Sequence, residues 1–78
     1  GYSPKYTYRN EVELGKKKLK IELDVEKGII KKASLAGNYL TSYDLDEVNY
    51  KLTGRRHYFE DINEILNDKP EELIYQFF

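Results

Sequence analysis

The densest group of chemically capable side chains in this sequence is a cluster of lysines. Its members are Lys16, Lys17, Lys18 and Lys20. Ammonium groups at this spacing could receive a phosphate, a nucleotide tail or an acidic partner protein. Lysines are also typical of a hairpin turn and of the solvent face of an edge strand, where they prevent edge-to-edge pairing. Both interpretations stay open here, and the second is the more ordinary one.

A second basic group is the run Arg55-Arg56-His57, which follows Gly54. It could bind an anion, although charged loop residues after a helix end are the common alternative. The eight tyrosines, beside basic residues, could stack on the bases of single-stranded nucleic acid. Their spacing instead follows strand and helix patterns, which favours core or interface positions.

The residue types that most catalytic sites require are scarce. The chain has no cysteine and one histidine, so disulfides, cysteine-ligated zinc and thiol catalysis are excluded. The glycine-rich phosphate motifs and the G-x-S-x-G motif are absent. We therefore expect no catalytic residue, no metal site and no cofactor bound by this chain. Without a membrane-length apolar run or a visible signal peptide, we expect a cytoplasmic protein with no membrane partner.

Charge divides the 78 residues into two halves. The net charge is -1, from 13 basic and 14 acidic residues. Residues 1–40 hold nine basic and five acidic residues, whereas residues 41–78 hold four and nine. The near-neutral balance excludes a histone-like protein, and the division coincides with a change of hydrophobic periodicity.

The first half predicts strands. Apolar and polar residues alternate over 6–14 and again over 18–25. The second segment should bury Leu19, Ile21, Leu23 and Val25. Turns are expected at Gly15-Lys16 and at residues 26–28. A third strand over 29–36 changes phase near Lys31-Lys32, which predicts a β-bulge, and short connections make the three strands an antiparallel meander.

The second half predicts helices. The first has a capping box at Asp44–Glu47, with Ser42 as a rival cap, and ends at Thr53-Gly54. The second should bury Phe59, Ile62, Ile65 and Leu66 and expose Glu60, Asp61 and Glu64. The third begins at Pro70, and its apolar side is formed by Leu73, Ile74, Phe77 and Phe78. Together these elements predict an α+β fold: a three-stranded antiparallel meander followed by two or three helices packed on one face.

Several short motifs occur in a distinctive order along the whole chain. They are Gly1-Tyr2-Ser3-Pro4-Lys5-Tyr6-Thr7, Leu19-x-Ile21-x-Leu23-x-Val25, Lys27-Gly28-x-Ile30, Ala33-x-Leu35-x-Gly37-Asn38-Tyr39-Leu40, and Leu52-Thr53-Gly54 followed by Tyr58, Ile62 and Leu66. This order resembles the C-terminal accessory domain of lipoate–protein ligases. Asn38 stands where that family most often has aspartate, so a turn or cap role fits it better than one that needs a carboxylate.

The resemblance implies a function for the whole enzyme. Such a ligase activates lipoate with ATP and magnesium to lipoyl-adenylate, then transfers the lipoyl group to a lysine of a lipoyl acceptor domain. Its nucleotide motif and catalytic lysine belong to a separate catalytic domain, so no catalytic residue carries over to this chain. The implied partners are that catalytic domain, in the same or a separate polypeptide, and, indirectly, the acceptor domains.

The resemblance also implies a non-catalytic accessory role. Such a domain packs over the active site, supports adenylation and moves between the two half-reactions. Residues 1–5 would be the remnant of a linker, in keeping with a chain that contains no methionine. The basic half would face the adenylate pocket or an acidic acceptor. The apolar end Ile74-Tyr75-Gln76-Phe77-Phe78 and the tyrosines at 6 and 8 are candidate interface residues. Among them, Tyr6, Tyr8, Phe77 and Phe78 are candidates for the docking surface, with ordinary core positions as the alternative.

Two further interpretations accompany this one. The expected architecture resembles iron–sulfur scaffold and sulfur-acceptor domains, whose function needs cysteine, so only the fold would be shared. The other alternative is a small nucleic-acid-binding or protein-interaction module.

Overall fold

A three-stranded antiparallel sheet forms the framework of the domain. The computed structural model describes residues 4–78, which contain strands β1 (Lys5–Leu14), β2 (Lys17–Glu26) and β3 (Ile29–Gly37) in the order β1-β2-β3. The predicted meander is therefore confirmed. The predicted linker, residues 1–5, falls mainly outside the described residues, and Lys5 already belongs to β1.

The two hairpins follow the predicted turns. Gly15 and Lys16 connect β1 to β2. Lys27 and Gly28 connect β2 to β3 with φ values of 52° and 78°, the positive pair that a tight hairpin turn requires. Glycine at the second of these positions has no Cβ to oppose that conformation.

The bulge in β3 is also confirmed. Val25 pairs with Ile30, but Asp24 pairs with Lys32, so Lys31 is the additional residue. The bulge reconciles the two phases of the sequence pattern, because the residues on either side of it keep the same face toward the core.

Three helical segments follow the sheet: α1 (Ser42–Leu52), α2 (Phe59–Ile65) and a C-terminal 3₁₀ helix (Glu71–Phe77). The N-cap of α1 is Thr41, whose Oγ1 accepts a hydrogen bond from the Asp44 N–H at 3.1 Å. The predicted caps at Asp44 and Ser42 were therefore wrong. Gly54 follows α1 with φ 90°, as predicted for a residue just past a helix end.

The helical segments cover one face of the sheet. α1 packs on β3, and the 3₁₀ helix packs on β1. The core between them contains Leu19, Ile21, Leu23, Val25, Ile30, Leu35, Val48, Leu52, Ile62, Ile65, Leu66, Leu73, Ile74 and Phe77. The α+β architecture and the four buried positions of β2 are thus confirmed.

Two predictions for the helices were wrong. Asp61, expected on the solvent side, is buried, with 7% of its surface exposed. Phe59, expected in the core, is 46% exposed. Phe78, a docking candidate with a core position as the alternative, is 50% exposed. The last helix is a 3₁₀ helix, which turns more tightly than an α-helix and leaves Phe78 beyond its end. No helix within residues 4–78 has the length and apolar character that a membrane crossing would need.

Candidate functional site

The outer face of the sheet carries a row of paired charges that we call the charge ladder. Residues directly opposite one another on β1 and β2 form ion pairs there. The pairs and their N–O distances are Lys5–Glu26 at 3.8 Å, Arg9–Glu22 at 3.0 Å, Glu11–Lys20 at 3.8 Å and Glu13–Lys18 at 4.0 Å. Exposed pairs of this kind contribute little stability individually, but each acid offsets a base on the same face.

The ladder divides the predicted lysine cluster. Lys18 and Lys20 belong to the charge ladder. Lys16 lies in the hairpin turn, and Lys17 is the first residue of β2. Because side chains alternate along a strand, Lys17 points to the opposite side from Lys18. The four lysines do not form one cationic surface. This placement confirms the hairpin position of Lys16, but the edge-strand interpretation was wrong for Lys18 and Lys20, because β2 is the central strand of the sheet. The pairs of the ladder offset one another, so they present little net positive charge to a nucleic-acid backbone.

The sheet face also holds shallow concavities, with volumes of about 320, 300 and 360 Å³. Their linings include both members of every pair in the charge ladder. Within residues 4–78, no group of three or more His, Asp or Glu side chains is arranged to hold a metal ion.

Arg55 and Arg56 converge on the buried carboxylate of Asp61. Arg56 Nη2 lies 2.7 Å from Asp61 Oδ1, and Arg55 Nε lies 3.3 Å from Oδ2. The Arg56 backbone N–H also donates to Asp61, and Arg55 reaches Glu64 at 3.1 Å. These hydrogen bonds, chiefly the one from the Arg56 side chain, hold the pKa of Asp61 below its usual value. The network joins the α1–α2 loop to α2, which favours the loop interpretation of the two arginines over anion binding.

The same loop is joined to the β2–β3 turn. Ile30 N–H donates to the Arg55 carbonyl at 2.8 Å, and His57 N–H donates to the Gly28 carbonyl at 2.9 Å. Lys27 N–H in that turn donates to the Pro4 carbonyl at 2.9 Å. The start of β1, the turn and the loop therefore meet at one end of the domain.

His57 occupies the centre of that end. Its Nε2 lies 2.6 Å from the Phe77 carbonyl oxygen, and its Nδ1 lies 2.7 Å from the Tyr6 hydroxyl. Since a carbonyl oxygen only accepts, Nε2 carries a proton, and in the neutral ring Nδ1 accepts from Tyr6. The Phe78 ring stacks on the imidazole with centroids 4.9 Å apart and planes 7° from parallel.

The rings around His57 form a continuous aromatic surface. We define this aromatic surface as Tyr6, His57, Phe59, Tyr75 and Phe78. Phe59 contacts Phe78 and Tyr75 with centroid distances of 6.3 and 6.4 Å. Tyr6, Phe59, Tyr75 and Phe78 are 47%, 46%, 62% and 50% exposed. Sequence reasoning missed His57 and Phe59 as members of a surface, whereas Tyr75 was among its candidate interface residues.

The four residues predicted for docking separate into two groups. Tyr6 and Phe78 belong to the aromatic surface. Phe77 is fully buried, so this residue belongs to the core, as the alternative interpretation expected. Tyr8 is half-buried and donates its hydroxyl to the Gln76 carbonyl at 2.6 Å; burial raises its pKa.

Comparison with known proteins identifies the family. Residues 3–76 match the family described as bacterial lipoate protein ligase C-terminus. The chain belongs to this family. It is also 32% identical over 68 residues to lipoate–protein ligase 1 of Staphylococcus aureus, a match that covers 87% of this chain and 21% of that relative. This lipoate protein ligase C-terminal domain thus spans about a fifth of the relative's length.

Asn38 has a structural role in the ligase C-terminal domain. Its Oδ1 accepts a hydrogen bond from the Lys18 N–H at 2.7 Å. In return, the Lys18 carbonyl accepts from the N–H groups of Asn38 and Tyr39 at 3.0 and 3.1 Å. The side chain therefore holds the end of β3 against β2. Either an amide or a carboxylate oxygen can accept this bond.

Proposed function

We propose that this chain is a non-catalytic accessory domain that docks on the catalytic domain of a lipoate–protein ligase. In this role it supports the ATP-dependent activation of lipoate to lipoyl-adenylate and the transfer of the lipoyl group to a lysine of an acceptor domain. The match to the ligase C-terminus over residues 3–76 carries the proposal.

The chemistry of the described residues supports a non-catalytic role. The buried carboxylate of Asp61 is held by two arginines. The single histidine bridges a tyrosine and a backbone carbonyl. These groups are engaged in holding the fold. In this proposal, the ATP, magnesium and lipoate of the whole enzyme bind to its catalytic domain.

The size of the domain gives docking a physical advantage. A domain of fewer than about 80 residues has a small core and limited stability. Burial of further apolar surface against another domain would stabilise it, and interdomain surfaces of this kind permit relative movement.

The direct test mixes the 78-residue chain with the catalytic polypeptide of its own ligase. Lipoyl-adenylate formation and lipoyl transfer to an acceptor domain are measured with and without the chain. We expect the chain to bind and to raise the rate of adenylate formation. Absence of both binding and any change in either rate would refute the accessory role.

A second experiment tests whether the basic half contributes. The variant Lys16→Gln/Lys17→Gln removes two charges at the hairpin turn, and Lys18→Gln/Lys20→Gln removes the same number from the charge ladder. If the turn faces the adenylate pocket or an acidic acceptor, the first variant lowers activation or acceptor affinity severalfold at low salt. The ladder variant should have a smaller effect, since Glu11 and Glu13 already offset its lysines. Unchanged rates at low salt for both variants would exclude a basic contact.

A further inference from the structure

We propose that the aromatic surface is the face on which the catalytic domain of the ligase docks. The partner surface is an apolar area of the catalytic domain. In a joined ligase, that catalytic domain precedes this domain in the chain. The inference rests on the accessory role proposed above and adds the surface and the chemistry of its partner.

Exposure and continuity distinguish this surface from ordinary exposed aromatics. Single exposed apolar residues are normal, whereas contiguous apolar patches mark interaction sites. Tyr43 and Tyr50 on α1 are 73% and 84% exposed, but among the described residues neither stacks on another ring. The aromatic surface instead joins its rings in an unbroken series. Tyrosine and phenylalanine are also the residue types enriched at the centres of protein interfaces.

The aromatic surface is held in place before any partner arrives. His57 bonds to Tyr6 and to the Phe77 carbonyl, and it stacks on Phe78. The loop that carries His57 is held in turn by Asp61. Side chains that are already ordered lose little conformational entropy on binding, so such a surface binds more tightly than a mobile one of equal area.

The position of the aromatic surface indicates that its partner is the preceding catalytic domain. Tyr6 lies two residues after Pro4, whose carbonyl is bonded to the β2–β3 turn. In a joined ligase the C-terminal domain is connected to the rest of the enzyme through this end of β1. A surface beside that connection meets the preceding domain at high effective concentration. A surface at the opposite end of the sheet would lack this advantage.

The test compares two tyrosines of the same domain. Tyr75→Lys places a charge within the aromatic surface, and the matched control Tyr50→Lys makes the same change on α1. Phe78→Ser is a second variant within the surface. Binding of the 78-residue chain to the catalytic polypeptide is measured by titration calorimetry. Thermal unfolding shows that each variant is folded, and sedimentation reports self-association.

We expect Tyr75→Lys and Phe78→Ser to weaken binding tenfold or more, with Tyr50→Lys within twofold of the unchanged chain. If the unchanged chain binds and both surface variants bind equally well, the surface assignment is overturned while the accessory role stands. If the unchanged chain does not bind at all, both proposals fail. If Tyr75→Lys abolishes a dimer but leaves binding to the catalytic polypeptide intact, the occupant is a second copy of this chain and the proposal is wrong.

Discussion

Replacement of Gly37 by alanine should remove most of the stability of this domain. Gly37 ends β3 with φ 114°, a conformation that side chains oppose. A Cβ there would overlap the carbonyl oxygen of Lys18 and lie 2.9 Å from its carbonyl carbon and 3.3 Å from Leu19 Cα. All three atoms belong to the backbone of the central strand, so none can rotate aside as a side chain would.

The magnitude follows from two contributions. A positive φ costs a residue with a Cβ about 1–2 kcal/mol. Relief of the overlap requires β2 and β3 to separate where the Lys18 carbonyl accepts from Asn38 and Tyr39, and each such hydrogen bond contributes about 1 kcal/mol. The expected loss is therefore about 3–4 kcal/mol, against a total of about 3–5 kcal/mol for a core of this size.

Gly15→Ala is the matched control. Gly15 has φ 69°, but a Cβ there would meet no atom within 4 Å. This variant retains the conformational cost without the overlap, so we expect a loss of about 1–2 kcal/mol. Urea unfolding of both variants measures the difference. Equal losses for Gly15→Ala and Gly37→Ala would refute the role assigned to the Lys18 carbonyl.

Substitutions at Asn38, Asp61 and Phe77 test other parts of the fold. Asn38→Ala should lose about 1 kcal/mol in urea unfolding, whereas Asn38→Asp, which keeps an acceptor for the Lys18 N–H, should remain close to the unchanged chain. Because hydrogen bonds from Arg56 lower the folded-state pKa of Asp61, its contribution to stability is present above about pH 4 and is lost as pH falls through the folded pKa. Between pH 7 and pH 2, the free energy of unfolding should therefore decrease less for Asp61→Asn than for the unchanged chain. An equal decrease for the two chains would argue against this assignment. Phe77→Ala should lose about 3–5 kcal/mol in thermal unfolding because the ring is fully buried, and a loss below that of the half-exposed Phe78→Ala would contradict the packing.

The sheet could be predicted from the sequence because its signals are local. Period-two alternation identified the buried face of β2, and the turn at Gly15-Lys16 identified the first hairpin. The charge ladder could also have been read from the sequence: that turn places Leu14 opposite Lys17, and the pairing of Glu13 with Lys18 then follows. The change of phase near Lys31 identified the bulge for the same reason.

The errors in the helical half have a tertiary cause. Helical spacing places Asp61 among exposed acidic residues. In the structure, its carboxylate is buried because it forms salt bridges with Arg55 and Arg56 of the preceding loop. Periodicity also assigns Phe59 and Phe78 to the core. Their contacts instead lead to His57 and Tyr6, which helical spacing does not place near them. The aromatic surface could be predicted only in part: Tyr6, Tyr75 and Phe78 were candidate interface residues, but His57 and Phe59 were not, because the surface joins segments that are distant in sequence.

The charge ladder has a consequence for how the first hairpin finds its correct pairing. A slip of two residues keeps every apolar side chain on its own face, so the hydrophobic pattern alone does not oppose it. The charges do: a slip in one direction would place Arg9 opposite Lys20, and a slip in the other would place Glu11 opposite Glu22. Like charges directly opposite are unfavourable. Of these three registers, only the native one has no like-charged pair, so the charge ladder favours the correct alignment during folding where the hydrophobic pattern does not.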